Sequence, residues 1–171
     1  MTHSTAPIFD KQRLREALGH YASGVTVVTG RDHEGPVGFT CQSFYSVSLD
    51  PPLVSFSVMK SSTSYPRIRS SGTFAVNVLS DEQSHVSSQF AITGADKWAG
   101  VTWTESRKNN PVISRTLMWI DCRTWAEYDA GDHWIVVGQV DEISSPDWHE
   151  GKPLLYFRGQ YRHLREPDEQ S

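Results

Sequence analysis

Between Val37 and Val58 the chain alternates apolar and polar residues with a period of two. Odd positions from Phe39 to Leu49 are mostly apolar (Phe39, Cys41, Ser43, Tyr45, Val47, Leu49), while even ones run Thr40, Gln42, Phe44, Ser46 and Ser48. That is the pattern of a strand with one face on a core. Pro51 and Pro52 then predict a corner, and a second strand follows over residues 53–58. The polar face carries short hydroxyls and one amide but no charge. Such a surface suits a flat, hydrogen-bonding ligand, and equally the solvated side of a half-buried strand.

The same reading orders the rest of the chain. Leu14, Ala17, Leu18 and Tyr21 recur at i, i+3, i+4 and i+7, which predicts an amphipathic helix over residues 10–22 with Asp10 as N-cap and Gly24 as stop. A β-branched strand spans residues 25–29, and the turn-rich residues 30–36 follow it. A short helix fits within residues 61–72. Phe74, Val76 and Val78 alternate as a strand over residues 74–79. Ser80 and Gln83 have capping-box spacing, which predicts a helix from there to about Phe90. Residues 91–112 are irregular and contain Trp98 and Trp103. Strands are predicted over residues 116–128, 134–143 and 154–161. Residues 1–8 and 165–171 read as flexible tails around one domain of residues 9–164. Strands outnumber helices, and short turns join them, so the fold class is mainly β: a barrel or sandwich with a few helices.

Composition narrows the function classes. The 171 residues suffice for one domain with a sizeable core. A net charge of −4, with no basic run, argues against nucleic acid and against a polybasic membrane patch. No segment has the apolar length of a transmembrane helix, and the N-terminal residues lack a signal-peptide pattern, so a cytoplasmic location is expected. Cys41 and Cys122 form no Cys-x-x-Cys, and free thiols are expected in that compartment. The seven histidines show no metal-ligand spacing, so no metal is expected. Neither G-x-G-x-x-G nor G-x-x-x-x-G-K is present, which excludes a Rossmann or P-loop nucleotide site.

Three stretches carry candidate chemistry. The first is the short-side-chain run Thr40, Cys41, Gln42 and Ser43, where backbone N–H groups can approach a ligand closely. The second is Lys60, Ser61, Ser62, Thr63 and Ser64 at a predicted helix start. Hydroxyls, N–H groups and the helix dipole there can hold a phosphate, and Ser62 or Ser64 can equally cap the helix. The third is Gly131-Asp132-His133, which read alone is a turn leading into a strand.

In order along the chain, residues 38–58, Phe74-Ala75-Val76-Asn77-Val78-Leu79, Gly131-Asp132-His133 and Pro153-Leu154-Leu155-Tyr156 resemble the flavin reductase family. These are small NAD(P)H:flavin oxidoreductases that serve two-component flavin-dependent monooxygenases. The resemblance spans residues 9–164. It implies a split β-barrel, a homodimer with flavin near the subunit interface, and FMN or FAD reduced by NADH or NADPH. It further implies a separate oxygenase that acts on an aromatic or phenolic compound and receives the reduced flavin.

Site residues follow from the resemblance. Val37, Gly38, Phe39, Thr40, Cys41, Gln42 and Ser43 would lie along the isoalloxazine, with Ser57, Val58 and Met59 beside them. Lys60, Ser61, Ser62 and Thr63 would hold the ribityl phosphate. Phe90, Ala91 and Lys97 would sit near the distal part of the flavin, although Trp98 stands where the family more often has Phe. His133 would face the flavin and place the nicotinamide, as positioner rather than base. Arg158 and Tyr161 would line the nicotinamide side. Two rivals remain open: a flavin carrier without nicotinamide turnover, and a split-barrel enzyme of the pyridoxamine-phosphate-oxidase kind.

Overall fold

The computed structural model describes residues 10–145 and 147–164. The expected tails, residues 1–8 and 165–171, lie outside them. Chain order begins with α1 (Lys11–Leu18), β1 (Ser23–Gly24), β2 (Thr26–Asp32), β3 (Gly35–Cys41), β4 (Tyr45–Leu49) and β5 (Pro52–Met59). Next come α2 (Tyr65–Ser71), β6 (Thr73–Val78), a 3-10 turn (Asp81–Gln83), α3 (Ser84–Ala91), β7 (Trp103–Glu105) and β8 (Pro111–Ile113). The chain closes with β9 (Met118–Ala130), β10 (His133–Ile143), β11 (Leu155–Phe157) and β12 (Gln160–Arg162). Seven strands form an antiparallel sheet in the order β3-β2-β6-β9-β10-β5-β4, and β1, β11 and β12 form a smaller one. The protein is mainly β.

Local signals placed several elements. The Asp10 carboxylate accepts the Gln12 N–H at the start of α1. Ahead of α3 the Gln83 side-chain oxygen accepts the Ser80 N–H at 3.1 Å, and the Gln83 N–H donates to the Ser80 carbonyl at 2.9 Å. Gly131, at φ 70°, turns β9 into β10.

Tertiary pairing overrode other local signals. α1 stops at Gly19, not Gly24, because Ser23 and Gly24 must extend to pair with Tyr156 and Leu155. The predicted turn over residues 30–36 shrinks to His33 and Glu34, since Asp32 pairs with Gly35. The single strand expected across residues 37–49 breaks at residues 42–44. There the Ser43 hydroxyl accepts the Ser57 N–H at 2.8 Å and donates to the Ser57 carbonyl at 3.1 Å. β4 is consequently an edge strand pairing with β5 alone, and its odd positions face outward. Tyr45, Val47 and Leu49 are all exposed, Leu49 at 90%.

The main core gathers side chains from β2, β3, β5, β6, β9 and β10 with two from α2. Phe56 is at its centre, fully buried, with ring contacts to Phe39, Tyr65 and Phe74 at 5.9, 6.2 and 5.2 Å. A side chain at Gly138 of β10 would put its Cβ 2.3 Å from Phe74 Cζ, so only glycine fits there. Val27, Leu79, Phe90, Ile113 and Leu154 belong to a second cluster. Ala75 and Asn77, on the face of β6 opposite Phe74 and Val76, are also buried. The Asn77 amide donates to the Val27 carbonyl and its oxygen accepts the Ile113 N–H, which stitches the supposedly irregular β7–β8 region onto the sheet.

Candidate functional site

Where β3 ends and β5 runs into the loop before α2, a cleft of about 470 Å³ opens against α3. That volume is within the range of small-molecule and cofactor sites. Phe39, Thr40, Cys41, Gln42 and Ser43 line one wall, Ser57, Val58 and Met59 another, and Ser61, Ser62 and Thr63 the loop side. Phe90 and Ala91 come from α3, Lys97 from the loop after it, and His133 from the start of β10. Among the described residues no carboxylate lines the cleft.

Each wall has a physical reason to be where it is. The Thr40 hydroxyl donates to the Ser87 carbonyl at 2.6 Å and ties β3 to α3. Gly38 must be glycine, because an added Cβ would lie 2.8 Å from Phe90 Cε1. Phe90 is fully buried and braced edge-on by Trp98 at 4.9 Å. Burial pushes the Cys41 thiol above its usual range, so it is a small apolar wall and not a thiolate. The Gln42 amide is exposed and makes no side-chain hydrogen bond among the described residues.

Lys97 is the charge in the cleft. Its ammonium donates to the Gly38 carbonyl at 3.1 Å and to Ser64 Oγ at 3.2 Å. Among the described residues no carboxylate lies within ion-pair distance of it. Burial holds its pKa below the ordinary lysine value. A half-buried cation without a counterion, ringed by hydroxyls, is built for an anionic ligand.

His133 sits at the mouth, held in the β10 ladder opposite Met59 of β5. Its Nδ1 lies 2.7 Å from Asp132 Oδ1. The imidazole beside Asp132 holds that carboxyl below the usual carboxylate range. The pairing fixes the ring's orientation and leaves Nε2 for a ligand.

Fifteen of the twenty residues named from the sequence converge on this cleft. Val37 and Gly38 line an adjoining compartment instead. Lys60 is elsewhere: its ammonium pairs with Asp129 at 2.7 Å and lies over the Trp134 ring at 5.0 Å. Of the two lysines, only Lys97 lines the cleft. Arg158 contacts His20 Nε2 at 2.6 Å, and Tyr161 donates to Ser87 Oγ at 2.8 Å, so both brace other elements outside the cleft. The Ser62 hydroxyl accepts the Tyr65 N–H, which is the capping role left open for it. Ser64 and Thr93 line the cleft without having been in the site set. Ser64 was legible as part of the hydroxyl run, whereas Thr93 carried no local signal.

A mainly β scaffold with a neutral, hydrogen-bonding cleft and one unpaired cation defines a protein for a flat, polar ring bearing an anionic group. The family model described as the flavin reductase like domain matches residues 18–165, and the chain belongs to the flavin reductase family. The reductase subunit HsaB of a flavin-dependent monooxygenase from Rhodococcus jostii is 44% identical over 163 residues, covering 95% of this chain and 82% of that one. Among solved structures, nitrilotriacetate monooxygenase component B from Mycobacterium thermoresistibile superposes with a TM-score of 0.88 at 42% identity, covering 97% of this chain and 92% of the other. The NADH:FAD oxidoreductase SgcE6 of Streptomyces globisporus, solved with NAD and FAD fragments, superposes with a TM-score of 0.85 at 33% identity, covering 94% and 96%.

Proposed function

We propose that this chain is a cytoplasmic NADH:flavin oxidoreductase that reduces FMN or FAD for a separate flavin-dependent oxygenase. The observation that carries the reading is the Lys97 ammonium, which has no carboxylate partner among the described residues, in the same cleft as His133. The residues fit a flavin: a wall of short side chains for the ring's polar edge, an apolar bed of Phe90, Val58 and Met59, and a cation with hydroxyls for the phosphate. Bound flavin would supply a two-electron acceptor for hydride from a dihydronicotinamide.

What the chain contributes is position and exclusion. Lys97, Ser64 and Thr63 hold the phosphate. The Gln42 amide and the backbone of residues 40–43 would face the ring with neutral polar groups, since Thr40 and Ser43 spend their hydroxyls on Ser87 and Ser57. His133, steadied by Asp132, stacks or hydrogen-bonds the nicotinamide above it. No side-chain proton donor is needed at the carbon that gives up the hydride, so placing two rings in contact is the main catalytic task.

Anaerobic addition of NADH to the protein with excess FMN tests the reading. Bleaching of flavin absorbance with matching NADH loss is expected, and binding without bleaching would leave a flavin carrier. His133→Ala is expected to leave flavin affinity unchanged, raise the apparent KM for NADH and lower kcat somewhat. Steady-state kinetics at saturating FMN measures this, and wild-type kinetics would return His133 to a turn residue.

Two further features are supported by the same fold. The open seven-stranded sheet wraps the Phe56 core, and the Ser43 and Cys41 side chains, not a ladder, link β3 to the Ser57 carbonyl of β5. That arrangement supports a split β-barrel. The outward apolar residues Leu14, Leu18 and Tyr21 near α1, with Tyr45, Val47 and Leu49 on β4, are exposed among the described residues and support a two-fold homodimer. Light scattering at micromolar concentration is expected to give twice the chain mass. A monomer that still reduces flavin would exclude the arrangement.

A further inference from the structure

The hydroxyl loop of the cleft, residues 61–64, is held at both ends by one spot on β9 and β10. At its start the Lys60 N–H donates to the Asp132 carbonyl at 2.9 Å, and the Lys60 ammonium pairs with Asp129 at 2.7 Å. At its end the buried Tyr65 donates its hydroxyl to Glu127. One turn further along α2, Arg69 pairs with the other Glu127 oxygen at 2.5 Å. Trp134 meets both cations, with Lys60 Nζ 5.0 Å and Arg69 Cζ 5.2 Å from its ring centroid. We infer that Trp134 is a positioning residue for the flavin phosphate: it seats Lys60 and Arg69, and through them fixes the loop that presents Thr63 and Ser64. The inference rests on the flavin-reductase reading and adds to it a residue outside the cleft.

Register explains how the start of β10 does two things. Successive residues of a strand face opposite sides of the sheet. His133 lines the cleft, while Trp134 packs against the main core. Asp129 stands directly opposite Trp134 on β9, and Glu127 is two residues back on the same face. Both carboxylates are therefore on the indole's side of the sheet, and each draws a cation towards it. A cation over an aromatic face is attracted by the ring's electrons, and Trp is the strongest partner of this kind.

Charge balance separates positioning from direct contact. Lys60 and Arg69 are matched by Asp129 and Glu127, so these four groups are neutral together. Lys60 does not line the cleft, whereas Lys97 does. Burial and the Glu127 carboxylate push the Tyr65 phenol above its ordinary range, so it stays a donor. What the cluster supplies to a phosphate is a fixed loop and not a charge. Within the loop the Ser62 N–H donates to the Met59 carbonyl at 3.0 Å, and the Ser62 hydroxyl accepts the Tyr65 N–H at 3.2 Å. A short segment pinned at both ends has little freedom left to lose when a ligand binds.

The test is fluorescence titration of FMN and riboflavin into the full chain and its Trp134→Leu, Trp134→Phe, Lys60→Met and Arg69→Met variants, with the Trp134→Leu/Lys60→Met double variant. Trp134→Leu is expected to raise the FMN dissociation constant about fivefold and to leave that of riboflavin within about twofold. Trp134→Phe, which keeps an aromatic face, should recover most of the FMN affinity. The double variant should be no worse than Trp134→Leu alone, because both changes break the same contact. Wild-type FMN affinity in Trp134→Leu would overturn the inference. Parallel losses for FMN and riboflavin would also overturn it and leave Trp134 a packing residue. An additive loss in the double variant would overturn it in favour of Lys60 touching the phosphate itself. If Trp134→Leu does not fold, the exposed Arg69→Met carries the same test: an FMN-selective loss supports the inference and wild-type affinity overturns it. A wild type that binds neither flavin would remove the reading beneath it.

Discussion

Phe56→Ala is expected to cost about 3–5 kcal/mol of stability, the largest loss available from a single side chain in this core. Phe56 is fully buried and its ring meets three other aromatic rings, from β3, α2 and β6. Truncation removes the transfer free energy of the ring and leaves a cavity. The cavity walls cannot close, because they are ladder-bound strands and a helix. Against a typical total of roughly 5–15 kcal/mol, such a loss takes a large share. For a chain of this length it corresponds to a fall in Tm of about 10 °C or more. Urea denaturation followed by tryptophan fluorescence measures it, with Phe56→Leu as the volume-sparing comparison expected to cost less. A midpoint for Phe56→Ala within error of wild type would show that the core re-closes. The same variant is expected to loosen flavin binding, because Ser57, Val58 and Met59 continue the strand straight into the cleft wall.

Lys97→Met is expected to raise the FMN dissociation constant tenfold or more while leaving riboflavin affinity unchanged. A charge-assisted contact contributes about 1.5–3 kcal/mol, which is at least a tenfold change. Methionine keeps an apolar stem and removes only the ammonium, so the comparison isolates charge from packing. Riboflavin lacks the phosphate and reports any general damage to the ring site. Fluorescence titration of both ligands gives the answer, and parallel losses for FMN and riboflavin would mean that Lys97 shapes the cleft without holding phosphate.

The pH profile gives the same experiment a second readout. Burial favours the neutral amine, so the free protein's Lys97 titrates below its ordinary value. A bound phosphate dianion favours the ammonium and raises that pKa, so binding takes up a proton once the free lysine is neutral. FMN affinity is therefore expected to be level near neutrality and to fall as pH rises through the free-protein pKa, by up to about tenfold per pH unit. The fall should begin below the ordinary lysine range and should be missing from Lys97→Met.

What the sequence by itself determined was whatever depends on neighbours a few residues apart. The Asp10 cap, the Ser80–Gln83 cap, the Gly131 turn and the period-two strands were all legible, because caps, turns and alternation are short-range physics. The polar wall at residues 40–43 was legible for the same reason. Tertiary structure alone decided which face of each element found a cover. The odd face of β4 had a core pattern yet lies outside, since Ser43 turns the chain to bridge β5. The odd face of β6, with Ala75 and Asn77, lacks the apolar alternation of the even face yet is buried, with Asn77 bonded to Ile113 of β8. It also decided between the lysines. Lys60, in the hydroxyl run, is drawn away by Asp129, which lies 69 residues on. Lys97 reaches the cleft through the Gly38 carbonyl, 59 residues back. Separations of that size leave no trace in local periodicity, because they are set by strand order and register.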